Sequence, residues 1–157
     1  MRRLLLISSF LVITQIIVLS QSNSMEKFRK VYPEDQNVFF YSSTLNMLNT
    51  DNNPAFKDLA KDIEKIMVLI YKKEKQKISR EDIIQLKDNL KKEKYVALML
   101  INENGNNIDL YKRDKKGKTV GFAALIDNKD GLVLIDIKGS IDVSKFMDLK
   151  KKIDLHL

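Results

Sequence analysis

The stretch that decides the fold runs from Tyr95 to Lys138: YVALMLINENGNNIDLYKRDKKGKTVGFAALIDNKDGLVLIDIK. It holds four β-rich segments, Tyr95 to Asn102, Asn107 to Arg113, Lys118 to Asp127 and Leu132 to Lys138, separated by short turns. Asn104-Gly105 is the favoured pair for a two-residue type I′ hairpin, in which both central residues need positive φ. Asp114-Lys115-Lys116-Gly117 and Asn128-Lys129-Asp130-Gly131 each carry Asp or Asn first and Gly fourth, the pattern of a type I turn. Three tight reversals in a row predict a four-stranded antiparallel meander.

Alternation within these strands suggests which side is buried. Val133, Ile135 and Ile137 alternate with Leu134, Asp136 and Lys138, so Asp136 is expected to face solvent. Val120, Phe122, Ala124 and Ile126 form one face of the preceding strand. The opposite face carries Thr119, Gly121, Ala123 and Leu125, small rather than polar. An apolar patch where Gly121, Ala123, Leu125 and Leu134 meet would mark a contact surface.

Upstream, helical and strand patterns alternate. Ser24 can cap a short helix bearing Phe28, Val31 and Tyr32, which stops at Pro33. Asn37 to Ser43 reads as the first strand, and Thr44 to Leu48 as a helical turn. Asn53-Pro54 is an N-cap followed by Pro at the first helical position, and that helix places Phe56, Leu59, Ala60 and Ile63 on one face. Ile66 to Tyr71 is a continuous apolar run, as in a strand buried on both sides. Ser79-Arg80-Glu81-Asp82 resembles a capping box, and the helix it opens carries Ile83, Ile84, Leu86 and Leu90. After Gly139 a final helix is expected, capped by Asp142 or Ser144, with Val143, Phe146 and Met147 inward. The fold class is therefore α+β: a largely antiparallel sheet ending in a four-stranded meander, with amphipathic helices mainly on one face.

The amino terminus speaks to location. Arg2 and Arg3 precede Leu4 to Leu19, sixteen residues of which twelve are apolar and none charged, and then Ser20-Gln21-Ser22-Asn23-Ser24. A basic start, an apolar run and a polar exit is the layout of a secretory signal, with Val18 and Ser20 preceding a cleavage at Gln21. The rival is an uncleaved anchor. As a helix at about 1.5 Å per residue, the run reaches roughly 24 Å, short of the ~30 Å hydrocarbon core. The expected organisation is a signal at 1–20 and one domain at 21–157. Export to the periplasm or medium follows, or inner-membrane anchoring under the rival reading.

Composition excludes much chemistry. The 157 residues contain no Cys, which removes thiolate metal sites, disulfides and a cysteine nucleophile. The single His, His156, sits next to the end of the chain, where frayed structure is usual. The formal net charge is +7, carried by 23 Lys against only five Arg, so the bidentate phosphate and base recognition that Arg provides has little material. Basic runs at Lys72 to Lys77, Lys91 to Lys94 and Lys112 to Lys118 are each broken by an acid, as solvated surfaces are. Nucleic acid is not an expected partner, whereas anionic lipid or polysaccharide and another envelope protein are.

Searches for a reactive constellation give no site. There is no G-x-S-x-G elbow and no Gly-rich phosphate loop. Asp127, Asp130 and Asp136 flank one turn, and turn or strand-end roles account for the first two. Asp51-Asn52-Asn53 and Asn102 to Asn107 are rich in oxygen ligands but do not match a calcium loop. Tyr41, Tyr71 and Tyr111 on strands are expected to pack rather than bind. No catalytic, cofactor-binding or metal residue is assigned, and no cofactor is expected.

One resemblance adds to this reading. Tyr111 to Leu149 (YKRDKKGKTVGFAALIDNKDGLVLIDIKGSIDVSKFMDL) places a hairpin, a hydrophobic strand and then Gly139, Ile141 and Asp142 before a short helix. With Phe28, Tyr32, Val38 to Ser43, Met47, Leu48 and Ile63 to Tyr71, it resembles the domain of unknown function family 4252 over most of residues 25 to 150. The resemblance implies a small exported envelope protein of a Gram-negative bacterium. Some members resemble lipoproteins, a route this chain lacks without Cys, and the family supplies no functional residue to carry over. The expected function is a noncatalytic interaction module. The alternatives are a small-ligand or lipid carrier with a cavity lined by Met47, Met67, Met99 and Met147, or a hydrolase using only carboxylates.

Overall fold

The computed structural model describes residues 21–140, apart from the side chains of Ala55 and Leu59. The signal expected at 1–20, the final helix expected to carry Val143, Phe146 and Met147, and His156 lie outside the described residues. The elements, in chain order, are α1 (Asn23–Val31), β1 (Gln36–Tyr41), α2 (Ser42–Met47), α3 (Pro54–Ala60), β2 (Ile63–Lys72), α4 (Arg80–Lys92), β3 (Tyr95–Glu103), β4 (Asn106–Lys115), β5 (Lys118–Asp127) and β6 (Gly131–Gly139). The six strands form one sheet in the order β1-β2-β6-β5-β4-β3, with every neighbouring pair antiparallel. The protein is α+β.

Local chemistry explains the turns. Asn104 and Gly105 both hold positive φ, 50° and 80°, as a type I′ reversal requires. The β4–β5 connection departs from the type I turn expected at 114–117. The strands run on through Lys115 and Lys118, leaving Lys116-Gly117 as the loop, with φ of 51° and 75°. Two left-handed residues match the right-handed twist of the flanking strands, which a type I turn would splay. At the β5–β6 connection the Asn128 side-chain oxygen accepts from the backbone N–H groups of Asp130 and Gly131, each at 2.9 Å. Gly131 is required by close approach, since a Cβ there would lie 2.3 Å from the Tyr71 carbonyl oxygen across the ladder.

Helix starts follow their caps. Ser79 and Asp82 make the reciprocal capping box at the start of α4. For α1 the cap is Ser22 rather than Ser24: the Ser22 hydroxyl accepts from the Met25 N–H at 3.2 Å. Ser24 is drawn instead to the Glu93 carboxylate.

The sheet separates two apolar layers. Under α1 and α4, Met25, Phe28, Ile83, Leu86 and Leu90 pack on Met67, Leu69, Tyr71, Tyr95, Tyr111, Ala123, Leu125, Leu132 and Leu134. Phe28 meets Tyr71 edge-on, with ring centroids 5.6 Å apart. Against the other face, Leu45 of α2 and Phe56 and Ala60 of α3 pack with Ile63, Leu110, Phe122 and Ile137. The two longer helices and the two shorter ones thus cover opposite faces. A contact patch built from Gly121, Ala123, Leu125 and Leu134 is therefore ruled out, because all four are buried, the last three in the layer beneath α1 and α4.

Candidate functional site

Two features of the described residues carry chemistry that folding alone does not demand. The first is the rim of the sheet. β3 is an edge strand, pairing with β4 on one side and with no strand among the described residues on the other. Along it Val96, Leu98 and Leu100 are 61%, 37% and 64% exposed. Its register shifts between Ala97 and Met99, so Leu98 sits in a bulge. Val96 faces Lys112 across the ladder and Leu100 faces Asp109, so this apolar surface follows the rim rather than one face. The opposite edge differs: β1 has six residues, and cations cover two of its rings. Lys65 Nζ lies 4.5 Å from the Phe39 ring centroid and 5.6 Å from that of Tyr41.

The second feature is a buried polar cluster where α1 begins. Asp136 lies in the middle of β6 with no exposed surface, which overturns the expectation that it faces solvent. The reason is architectural. Helices cover both faces of the sheet, so strand alternation separates two interiors rather than an inside from an outside. The Ser22 backbone N–H donates to Asp136 Oδ2 at 2.6 Å, and the Gln21 side-chain amide donates to the Asp136 carbonyl oxygen at 3.4 Å. Asp136 Oδ1 is buried and has no hydrogen-bond partner among the described residues. Burial pushes this carboxyl up to about 7, with the nearby charges of Glu93 and Glu26 acting the same way. The Ser22 N–H and the Arg113 guanidinium oppose the rise.

Glu93, which follows α4, serves the same helix start. Its carboxylate accepts from the Asn23 N–H at 3.1 Å, from the Ser24 N–H at 2.6 Å and from the Ser24 hydroxyl. Arg113 Nη1 stands 3.9 Å from Glu93 Oε2, and its guanidinium lies 4.9 Å from the Tyr95 ring centroid. The Tyr95 hydroxyl is buried without a hydrogen-bond partner among the described residues, and burial raises its pKa. Two carboxylates thus hold three successive amides, those of Ser22, Asn23 and Ser24, at the positive end of α1. Sequence reading passed over this arrangement because Gln21 and Ser22 look like an exit from the apolar run and Glu93 like one acid in a lysine run.

The other residues singled out by sequence are placed apart. Tyr71 and Tyr111 are buried in the layer under α1 and α4, whereas Tyr41 is half exposed. Met67 is buried in that layer, Met99 packs in the opposite one and Met47 is exposed. Asp127 pairs with Lys73 at 2.9 Å, and Asp130 is exposed in the β5–β6 turn. Among the described residues no group of three or more acids or His is arranged to hold a metal ion. Between α1 and α4 an open groove of about 170 Å³ is lined by Phe28, Tyr32, Asp82 and Leu86. It is smaller than the ~300–1,000 Å³ usual for small-molecule sites. Lysines of the basic runs engage acids, as in Lys75 with Asp35, Lys91 with Asp88 and Lys112 with Asp114.

Among curated proteins and solved structures, none matches this chain. The family model described as Domain of unknown function (DUF4252) matches residues 34–149, from just before β1 to beyond β6. The chain belongs to the Domain of unknown function (DUF4252) family.

Proposed function

We propose that this is an exported envelope protein that acts by surface contact, adding an extended segment of another envelope protein to the open edge of β3. The observation that carries this reading is the nine-residue edge strand with Val96, Leu98 and Leu100 exposed along it. A long apolar edge presents a free row of backbone donors and acceptors, which natural sheets otherwise shorten, charge or cover. β1 is shortened in that way, whereas β3 runs nine residues with one bulge at Leu98 and three exposed apolar side chains. Strand addition takes affinity from the main chain and specificity from alternate side chains. The exported location is supported by the layout of residues 1–24. Among the described residues no helix is long and apolar enough to cross a membrane.

A photo-crosslinkable residue placed at Leu98 or Leu100 in the full chain tests this in cells. The expected result is a discrete adduct in the envelope fraction, absent when the probe sits at exposed Lys57 of α3 and lost on Val96→Lys. Adducts that form equally from Lys57, or none from the edge, overturn the reading.

A further inference from the structure

Gln21 and Ser22 are buried, at 6% and 0% exposure, although they stand immediately after the apolar run. Gln21 is fixed at two points on one residue of β6: its own side chain reaches the Asp136 carbonyl, and the next amide reaches the Asp136 carboxylate. Consecutive backbone nitrogens are at most about 3.6 Å apart. The Gln21 nitrogen is therefore within about 6 Å of Asp136 Oδ2, and the other oxygen of that carboxylate, Oδ1, is buried with no hydrogen-bond partner among the described residues. The charges acting on Asp136 are Glu26 of α1, Glu93 after α4 and Arg113 of β4, while the neutral Tyr95 of β3 lies beside them. Three carboxylates stand against one guanidinium. A helix N-terminus by itself repels a cation, but this excess of carboxylate reverses the sign.

We infer that Asp136 is the receptor for the α-ammonium of Gln21, generated when the Ser20–Gln21 bond is cut on export. In that step a signal peptidase adds water across the peptide bond. Ser20 leaves as a carboxylate, and Gln21 keeps the nitrogen, which takes up a proton and carries a positive charge. Before the cut the nitrogen is a neutral amide and Asp136 is a buried acid with one bare oxygen. Afterwards the pair is a buried, charge-assisted contact. Processing would thus complete the core rather than merely free the domain. The inference rests on the exported reading above, and it makes the start of α1 part of the maturation machinery.

The test uses the full chain expressed in an exporting bacterial host. Intact mass and fractionation come first, followed by titration of the Gln21 α-nitrogen by its ¹⁵N chemical shift. A processed chain starting at Gln21 with a free amine is expected. Its pKa should be raised from the ordinary value of about 8 to roughly 9 or above, and Asp136→Asn should return it towards about 8. The wild-type titration decides alone if that variant fails to fold. An ordinary amine pKa, a different first residue, or loss of ammonia through cyclisation of Gln21 overturns the ion pair while leaving export intact. A chain keeping Met1 in the envelope fraction overturns cleavage and the ion pair with it. A chain keeping Met1 in the cytoplasm overturns the exported reading as well.

Discussion

Asp109 and Asp136 are both buried on the sheet face beneath α1 and α4, yet the fold treats them differently. Asp109, in β4, is met by the ammonium of Lys87, which reaches it from α4. Asp136, in β6, receives one backbone N–H on one oxygen and, among the described residues, no hydrogen bond on the other. A carboxylate taken out of water needs a compensating charge or several donors, and burial without them favours the protonated form. The pair shows that equal depth does not give two buried acids the same partners. What differs is what the element packed above brings: α4 brings a cation, and the start of α1, while Gln21 is amide-linked, brings amides.

The largest effect should come from pH. While Gln21 stays amide-linked, Asp136 binds its proton more tightly in the folded chain than in the unfolded one. Its contribution to stability is therefore fully present below the unfolded carboxyl pKa near 4, and it is lost as pH rises to about 7. At about 1.4 kcal/mol per pKa unit this amounts to several kcal/mol. Urea unfolding across that window should show the decline in the unprocessed wild type and no decline in Asp136→Asn. Processing to a Gln21 ammonium should likewise abolish the decline, which joins this measurement to the α-amine titration.

Lys87→Met should be next. It leaves Asp109 buried without its counter-ion, and a loss of about 2–4 kcal/mol in chemical denaturation at neutral pH is expected. Asp109→Asn with Lys87→Met should recover part of it, since neither charge then remains. Glu93→Gln should cost about 1 kcal/mol, because it weakens the charge-assisted contacts to the Asn23 and Ser24 amides without removing the acceptor. Differential scanning calorimetry resolves that change. Lys91→Met should cost under about 0.5 kcal/mol, because the Lys91–Asp88 pair is exposed on both sides. A large loss there would erase the distinction between buried and exposed pairs on which the comparison stands.

The reversals were legible because turn chemistry is local. Asn104-Gly105 and the Ser79–Asp82 box each state their geometry within four residues. The start of α1 was legible only to within a turn. Ser22 and Ser24 are equally good caps by type, and Glu93, 69 residues beyond Ser24 in the chain, engages the second of them. Lys116-Gly117 misled for a related reason: Asp114 and Gly117 satisfy the type I spacing, but strand pairing extends into Lys115 and Lys118 and demands the mirror-image turn. Asp136 was hidden most deeply. A period of two assigns residues to two faces, and it is silent on whether a face meets water or a helix. That depended on α1 and α4 packing from regions distant in the chain.

The strand order also has a consequence in time. β6 is the last of the described strands along the chain but sits between β2 and β5, and it joins the β1–β2 pair to the β3–β4–β5 group. Neither group can complete the sheet until residue 139 is available, and the β2–β6 pairing spans the intervening helix and three strands. Such distant pairings raise contact order and slow folding. A chain emerging from synthesis amino-terminus first would hold its hairpins as separate, unlocked pieces until the end. The topology thus delays closure of the core, keeping the polypeptide threadable until β6 has been made.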